Sequence, residues 1–278
     1  MSENWFKPPL GYLRILHPRY WGYVRKLVRL AKQGALRVLP IGKHAHAAFR
    51  RVEVPEVAMT IWGYFVAPSD RHGKHEAGPM RKDGVLRVLW VGRMLRLKRV
   101  GDIVRAVGRV CAAYGGAGDL WDNATGRRVA RTWDGADSSE RVEECCAAQL
   151  TLVGDGPARG WVTTLVSRLG LDGVVKFLPP VSLNEVRKLM REHDVYVLAS
   201  NGYEGWGAVV SESIEEGMDV VGTFEAGSSA TILPAENLYH CGDWDNLAKI
   251  LTNRSYRHIE IAEWSAEAAT RRLLAMVV

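Results

Sequence analysis

Short apolar runs alternate with longer amphipathic segments along most of the chain beyond residue 84. Apolar runs without polar alternation are typical of strands that are buried on both faces, whereas apolar positions repeating every three or four residues predict helices. The predicted strands are residues 85–92, 149–157, 173–179, 194–200 and 219–224. The predicted helices are residues 98–114, 158–170 and 182–193, a segment beginning near Gly207, and residues 243–251. This alternation predicts an α/β fold with a doubly wound, Rossmann-like parallel sheet.

Local start signals support two of these helices. Ser182 precedes one predicted helix and Glu185 follows three residues later, which is the spacing of a capping box. Asp243 is placed to cap the last predicted helix through its side-chain oxygen. Because ligands of doubly wound sheets bind beyond the carboxyl ends of the strands, the loops that precede the helices are the candidate site.

The first 80 residues have a different pattern. A basic amphipathic helix is predicted over residues 19–34, and strands are predicted over residues 35–42 and 56–65. Two or three strands with one or two helices amount to half of a Rossmann-type domain. We therefore expect residues 1–81 to be a partial N-terminal α/β segment with its linker, and residues 82–278 to be the main domain.

Two polar segments interrupt this order. Residues 67–84 have the composition of a linker and are the best domain boundary in the chain. Residues 115–148 are polar and rich in glycine, without clear periodicity. We expect them to be a long insertion at the surface of the main domain.

Composition and charge restrict the class of partner. The chain has 278 residues, of which 47% are hydrophobic and 24% are charged, as in an ordinary globular protein. Its formal net charge of +6 favours an anionic partner. Because the sequence contains neither a run of five or more Lys and Arg residues nor a nucleic-acid-binding motif, we do not expect nucleic acid to be that partner.

The four cysteines indicate the compartment. Cys111, Cys145, Cys146 and Cys241 form no Cys-x2-Cys pair, which favours a reduced, cytoplasmic environment. No apolar stretch approaches the roughly 20 residues of a membrane helix, and the N-terminus does not resemble a signal peptide. The basic helix 19–34 leaves two interpretations open: peripheral contact with the inner membrane face, or an ordinary solvated helix.

A basic loop follows the first strand of the main domain. Arg93 and Lys98 lie between that strand and the next helix. Arginine can bind phosphate oxygens in a bidentate manner and lysine adds a point charge, so the pair suits an anion. The alternative is an ordinary basic surface loop.

A second loop, residues 153–157, follows the next strand and reads Val-Gly-Asp-Gly-Pro. It lacks the complete spacing of a dinucleotide fingerprint. Gly154 and Gly156 permit a tight turn, and Pro157 suits the first position of a helix. A structural role is favoured, although the backbone of this loop could also line a nucleotide.

A third loop and the helix after it carry two carboxylates. Glu204 precedes a Gly-Trp-Gly turn centred on Trp206, and Glu212 follows about one and a half helical turns beyond Gly207. Carboxylates accept hydrogen bonds from sugar hydroxyls, and N–H groups at a helix start bind anions. Acidic residues near a helix N-terminus can also be purely structural. Glu215 and Glu216 fit that second interpretation, as surface residues.

Four histidines raise the question of a metal. His44, His46, His72 and His75 are spaced closely enough to suggest one. Because no suitably spaced carboxylates or cysteines accompany them, a metal site is disfavoured.

Taken together, these segments resemble the donor-binding C-terminal domain of retaining GT-B glycosyltransferases of family 4. The resemblance covers about residues 85–250 and includes the basic loop and the Glu-x7-Glu pair at the family's spacing. The family often has glycine where this chain has Arg99. Its first domain is represented here only by a tail, without the opening strand, the glycine-rich loop and the catalytic histidine region. The matching segments are VLWVGRMLRLK, LTLVGDGP, VVKFLP, DVYVLASNGYEGWG, SESIEEGMDVVGT and AGSSATIL.

The resemblance implies a role for each site residue. Arg93 and Lys98 would hold the diphosphate of a nucleotide-sugar donor, and Glu212 would bind the ribose hydroxyls. Glu204 would contact the donor sugar near the reacting face, so Glu204, Arg93 and Lys98 are the candidate catalytic residues. The implied donor-binding positions are Gly92, Arg93, Lys98, Gly154, Asp155, Leu178 (through its backbone, to the base), Glu204, Gly205, Trp206, Gly207, Ala208 (the last three through their N–H groups) and Glu212.

The implied activity is transfer of a sugar, of the hexosyl type, from a nucleotide diphosphate sugar to a carbohydrate or lipid-linked acceptor, with retention. Bacterial polysaccharide or glycolipid biosynthesis is the implied setting. No cofactor or metal is expected, because the two cations can balance the diphosphate charge. An inactive nucleotide-sugar-binding fragment is the main alternative, since the first domain is short. A nucleotide-sugar epimerase is a third hypothesis, which the Glu-x7-Glu spacing disfavours.

Overall fold

The computed structural model describes residues 18–67, 84–114, 121–122, 127–128 and 147–277. Most of the predicted linker and most of the predicted insertion lie outside these residues, as do His72 and His75. Both predictions, and the division into residues 1–81 and 82–278, therefore stay predictions. The strands are β1 (Leu86–Val91), β2 (Trp121–Asp122), β3 (Arg127–Arg128), β4 (Ala148–Val153), β5 (Val175–Leu178), β6 (Val195–Leu198), β7 (Asp219–Thr223) and β8 (Leu238–Tyr239).

Six of the strands form one parallel sheet with the order β5-β4-β1-β6-β7-β8, which confirms the predicted doubly wound fold. The chain starts at the centre of the sheet, builds one side, and returns to build the other beside β1. The short strands β2 and β3 pair antiparallel with each other. The helices are α1 (Pro18–Lys32), α2 (Gly42–Arg51), α3 (Val100–Tyr114), α4 (Arg159–Arg168), α5 (Leu183–Glu192), α6 (Val209–Glu215), α7 (Gly227–Ile232), α8 (Trp244–Asn253) and α9 (Ala266–Val277).

Strand β1 shows why the apolar runs lack polar alternation. Leu86, Val88 and Trp90 point into one apolar cluster, which contains side chains of α3, α4 and α8. Leu89 lies in a second cluster on the opposite face, with side chains of α5 and α6. Because both faces of the strand are buried, both sets of alternating positions must be apolar.

The predicted caps are confirmed. The Ser182 hydroxyl accepts a hydrogen bond from the Glu185 N–H at 3.3 Å, and the Glu185 carboxylate accepts one from the Ser182 N–H at 2.9 Å. The Asp243 carboxylate accepts a hydrogen bond from the Asn246 N–H at 3.0 Å. Local sequence therefore determined where α5 and α8 begin.

The strands predicted within the first 80 residues are wrong as extended elements. Residues 35–42 and 56–65 meet only at two isolated parallel bridges, Val38 with Met59 and Ile41 with Trp62. Between them lies α2, which the hydrophobic pattern did not predict because its buried face consists mainly of alanine. A pair of short parallel segments without further neighbours has few ladder hydrogen bonds, so neither extends into a strand.

The N-terminal segment packs on the main domain through α2. The Lys43 N–H donates to the Thr231 hydroxyl at 2.9 Å, and His44 Nε2 lies 2.7 Å from the carbonyl oxygen of Phe224. At the other end of the chain, Trp264 packs against Trp206 with 5.2 Å between ring centroids. These contacts place residues from both ends of the described chain against the loops that follow β6 and β7.

The loops after β1 and β4 approach each other so closely that one position accepts only glycine. Gly154 has a φ of 127°, and a Cβ atom there would lie 2.0 Å from the carbonyl oxygen of Gly92. In contrast, a Cβ atom at Gly160 would meet nothing within 4 Å. The backbone at Gly154 therefore sets the spacing of the two loops.

We expect Gly154→Ala to lower the free energy of unfolding by an amount on the order of 3 kcal/mol, because backbone strain and a steric clash combine. Gly160→Ala is the matched control. It should leave the stability unchanged or raise it by up to about 1 kcal/mol, since alanine is the better helix former. Urea unfolding measures both values, and equal stability of the two variants would contradict the interlocked geometry.

Candidate functional site

Backbone hydrogen bonds connect the loops at the carboxyl edge of the sheet. The Gly92 N–H donates to the carbonyl of Val153 at 3.0 Å, and the Gly154 N–H donates to the carbonyl of Leu178 at 3.0 Å. The Asn201 N–H, after β6, donates to the carbonyl of Leu97 at 2.9 Å. The loops after β1, β4 and β6 are thus held in fixed relation at the centre of the sheet, where the order of the strands reverses.

The basic loop after β1 presents its two predicted cations differently. Arg93 is exposed, and no hydrogen bond or ion pair of its side chain occurs within the described part of the chain. Lys98 ends a short 3-10 turn and is largely buried, with 21% of its side chain exposed. Arg99 follows with a φ of 46°, in the left-handed region, which explains why α3 begins at Val100 rather than at the predicted residue 98.

Lys98 forms an ion pair with Glu204, so the fold brings two of the candidate catalytic residues into contact. Only 13% of the Glu204 side chain is exposed. Its loop is shaped by a turn in which the Glu204 N–H donates to the carbonyl of Asn201 at 2.9 Å. The two residues lie 106 positions apart along the chain, and only the adjacency of β1 and β6 joins them.

Glu212 lies in the first turn of α6, because that helix begins at Val209, slightly later than predicted. Burial raises the pKa of the Glu212 carboxyl, and the positive charge of Arg187 opposes that rise. No hydrogen bond to this carboxylate comes from the residues that the structure describes. Glu212 is therefore a half-buried acceptor that can still take hydrogen bonds from a ligand.

The buried phenol of Tyr196, on β6, lies within electrostatic reach of both carboxylates. Burial raises the pKa of the Tyr196 phenol, and the negative charges of Glu204 and Glu212 raise it further. The phenol O–H donates to the carbonyl of Val91 at 3.5 Å, a weak contact at the end of β1. Both glutamates of the predicted pair therefore act electrostatically on the same buried phenol. Hydrophobic periodicity did not single out Tyr196, since it occupies an ordinary position in an apolar strand.

The ring and the backbone of Trp206 face different surroundings. The ring is buried, with 1% of the residue exposed, and packs against Trp264 and the backbone of Gly63. The Trp206 carbonyl accepts a hydrogen bond from the Ser228 N–H at 2.8 Å. In contrast, the N–H groups of Trp206, Gly207 and Ala208 have no acceptor among the described residues. The ring thus anchors the turn, and a role of these N–H groups in donor binding stays a prediction.

The remaining predicted positions lie at the same edge but are already engaged. The Leu178 carbonyl accepts a hydrogen bond from Gly154, and the Asp155 carbonyl accepts one from the Met94 N–H at 2.8 Å. The Asp155 carboxylate, 61% exposed, accepts a hydrogen bond from the Gly156 N–H at 2.7 Å. A role for these residues in donor binding stays a prediction.

The prediction that Glu216 is a surface residue is wrong. Only 3% of Glu216 is exposed, and its carboxylate forms ion pairs with Arg191 at 2.5 Å and with Arg187 at 3.6 Å. A buried carboxylate needs such partners, because its desolvation would otherwise be costly. Arginines four residues apart on the preceding helix were the sequence signal that could have indicated this role.

The histidines of α2 do not converge on one site. His44 contacts the carbonyl of Phe224, whereas His46 Nε2 lies 2.8 Å from a carboxylate oxygen of Glu56. Within residues 18–67, 84–114 and 147–277, no group of three or more His, Cys, Asp or Glu side chains could hold a metal ion. None of the helices in the described part of the chain is long and apolar enough to span a membrane.

A basic groove lies apart from the sheet edge, between α1 and the end of α2. It encloses about 710 Å³, and its floor is formed by Val24, Val28 and Val52. Four cations and one carboxylate line it, so its charge is positive. The charged residues of the groove are Arg25, Arg29, Lys32, Arg51 and Glu53.

Comparison with known proteins agrees with this geometry. Residues 133–253 match the sequence model of the family described as Glycosyl transferases group 1. They include β4 to β8, Glu204 and Glu212, whereas the basic loop after β1 precedes them. A search of curated proteins found no match.

Solved structures similar to this chain share its fold. The lipopolysaccharide outer core galactosyltransferase WaaB, in its apo form, is 14% identical with a TM-score of 0.63, over 86% of this chain and 61% of WaaB. Anabaena Alr3699/HepE in complex with UDP and glucose is 16% identical with a TM-score of 0.59, over 95% of this chain and 69% of HepE. A point mutant of S. aureus TarM in complex with Fondaparinux, alpha-GlcNAc-glycerol and UDP is 14% identical with a TM-score of 0.58, over 93% of this chain and 46% of TarM.

The fold is therefore that of GT-B glycosyltransferases, as the sequence resemblance implied. At these levels of identity the likeness concerns the fold alone. The chain spans less than two thirds of the length of WaaB and less than half that of TarM.

Proposed function

We propose that this chain binds a nucleotide diphosphate sugar and transfers the sugar, with retention of anomeric configuration, as a family 4 glycosyltransferase. The observation that carries the proposal is the buried ion pair of Lys98 and Glu204 at the carboxyl edge of the sheet, with the half-buried Glu212 on the helix that follows Glu204. Glu204 and Glu212 fall within the residues that match the glycosyltransferase group 1 model, whereas Lys98 precedes them. Two similar structures contain UDP, and another HepE structure contains UDP-glucose, so these are the first ligands to test.

The charges of the site suit each part of such a donor. The exposed guanidinium of Arg93 and the ammonium of Lys98 would bind the diphosphate and stabilise the charge that develops on it as the glycosidic bond breaks. Glu212 would accept hydrogen bonds from the ribose hydroxyls, and Glu204 from the donor sugar. Lys98 would then share its charge between Glu204 and a phosphate oxygen. No metal or cofactor is part of the proposal, because these cations supply the positive charge.

The acceptor would be a carbohydrate or a lipid-linked sugar in bacterial polysaccharide or glycolipid biosynthesis, and the compartment would be the cytoplasm. Binding of UDP by calorimetry tests the donor site directly. We expect the double variant Arg93→Ala, Lys98→Ala to bind at least tenfold more weakly than the wild type, since each charge-assisted hydrogen bond contributes about 1.5–3 kcal/mol. GDP and ADP, titrated in parallel, identify the preferred base.

Arg96→Ala is the matched control, because it removes an exposed cation from the same loop. Its affinity should stay within about threefold of the wild type, as expected for a screened surface charge. Wild-type affinity in the double variant, or an equal loss in Arg96→Ala, would contradict the assignment of the diphosphate site.

The chain spans less than two thirds of the length of WaaB, so a second candidate is an inactive nucleotide-sugar-binding fragment. The two candidates differ in turnover. If the chain is a retaining enzyme, it should release UDP from UDP-glucose, and proton NMR should detect an initial product with the anomeric configuration of the donor. Glu204→Gln should abolish this turnover while UDP still binds. Binding without turnover in the presence of a panel of sugar acceptors would favour the inactive fragment, and an epimerised nucleotide sugar would favour an epimerase.

The basic groove supports the proposed peripheral contact with an anionic membrane. Arg25 and Arg29 are exposed on α1, next to the exposed ring of Trp21. Each cation near an anionic surface contributes about 1 kcal/mol, so Arg25→Glu with Arg29→Glu should greatly reduce cosedimentation with vesicles that contain phosphatidylglycerol. The control, Arg168→Glu with Lys176→Glu, makes the same charge change in the main domain. Equal binding by the two double variants would contradict a specific contact through α1. Equal binding of the wild type to vesicles of phosphatidylcholine alone would contradict it as well.

A further inference from the structure

Two arginines on α5 face two carboxylates on α6 and its end. Arg187 and Arg191 are four residues apart, and so are Glu212 and Glu216. Both helices connect successive parallel strands of the sheet, so they run in the same direction. The N-terminal arginine of one pair and the N-terminal carboxylate of the other therefore lie toward the same end of the two helices.

The ion pairs of Glu216, at the C-terminal end of α6, agree with this arrangement. Arg191 lies 2.5 Å from one carboxylate oxygen of Glu216, and Arg187 Nε lies 3.6 Å from the other. The Glu216 N–H donates to the carbonyl of Glu212 at 3.1 Å, which places the two glutamates one turn apart on the same face. The Arg187 guanidinium, held by Glu216, is thereby positioned next to Glu212.

We propose that Arg187 is a positioning residue whose charge, held by Glu216 one helical turn from Glu212, keeps that carboxylate available as a hydrogen-bond acceptor for the ribose of the donor. The inference rests on the proposed donor-binding function of Glu212. It assigns to Arg187 two roles: it neutralises the structural carboxylate Glu216, and it supports the ligand-binding carboxylate one turn away. Arg191 has the first role only.

The other groups around Glu212 cannot replace Arg187. From β6, Tyr196 presents a neutral phenol, and from the loop before α6, Glu204 adds a negative charge that Lys98 already balances. Helix α7 carries no charged side chain, and Asp219 at the start of β7 is paired with His258 at 2.8 Å. On α6 itself, Glu215 and Glu216 are also acidic. Arg187 is therefore the cation that acts on Glu212, and it opposes the effect of burial on the pKa of that carboxyl.

The expected pH dependence follows from the opposing effects of burial and of Arg187 on the pKa of Glu212. An ionised Glu212 accepts hydrogen bonds from hydroxyls, whereas the protonated form has lost part of its acceptor capacity. The affinity for UDP should therefore be constant at high pH and should fall as the pH decreases through the pKa of Glu212. Without Arg187 that pKa is higher, so the loss of affinity should begin at a higher pH.

The test is calorimetric titration of UDP between pH 5 and pH 8.5 into the wild type, Arg187→Met, Arg191→Met and Arg187→Lys. Arg187→Met should move the midpoint of the affinity profile upward by about one pH unit, which corresponds to a roughly tenfold weaker affinity at pH values below both midpoints. Arg187→Lys should restore most of the profile. Arg191→Met, which removes the other partner of Glu216, should match the wild-type midpoint. Protonation of UDP itself affects all four proteins equally.

A second arm uses 2′-deoxy-UDP, which lacks one ribose hydroxyl. The difference between the wild type and Arg187→Met should be smaller for this ligand than for UDP. An unchanged profile in Arg187→Met, or an equal shift in Arg191→Met, would overturn the proposed role and leave Arg187 purely structural. If Arg187→Met does not fold, as judged by thermal melting, Arg187→Gln takes its place with the same expected shift relative to Arg191→Met. A wild type that binds no UDP at any pH would instead count against the proposed function.

Discussion

The contact of Gly154 with the backbone of Gly92 is the constraint on which the arrangement of the candidate site depends. It holds the loops after β1 and β4 closer together than any side chain would permit. The loop after β1 is also connected to the loop after β6, because the Asn201 N–H donates a hydrogen bond to the Leu97 carbonyl. Because these contacts are made by backbone atoms, the position of each site residue is set by the sheet and not by the flexibility of its own side chain.

Electrostatic compensation is the second feature of this edge. Lys98 balances Glu204, and Arg187 with Arg191 balances Glu216. Each pair joins elements that are distant in sequence, so each carboxylate depends on the fold for its counter-charge. Glu212 is half buried and lacks an ion-pair partner in the described part of the chain, while Arg93 is exposed. This contrast separates residues whose charge is already satisfied from residues that can still interact with a ligand.

The sequence predicted much of the main domain correctly. Strand β1 and helix α5 were identified from an apolar run and from a capping box, signals that are local and strong. Helix α2 was missed because its buried face is rich in alanine, which gives little hydrophobic contrast. Helix α7, strand β8 and helix α9 were also missed. Helix α7 and strand β8 are short, and Arg272 of α9 packs on Phe65, which is distant along the chain.

The candidate site was likewise predicted only in part: the sequence indicated its residues but not the contacts between them. Local composition identified Arg93, Lys98, Glu204 and Glu212, because charged residues after buried strands fall at the carboxyl edge of a parallel sheet. Composition could not show that Lys98 pairs with Glu204, that both glutamates raise the pKa of Tyr196, or that Glu216 is buried against Arg187. These pairings depend on which strands are neighbours and on the direction of the helices between them. By itself the sequence determined the order of elements and the types of residue at the site. The order of strands in the sheet decided which of these residues meet, because long-range contacts follow from packing and not from local periodicity.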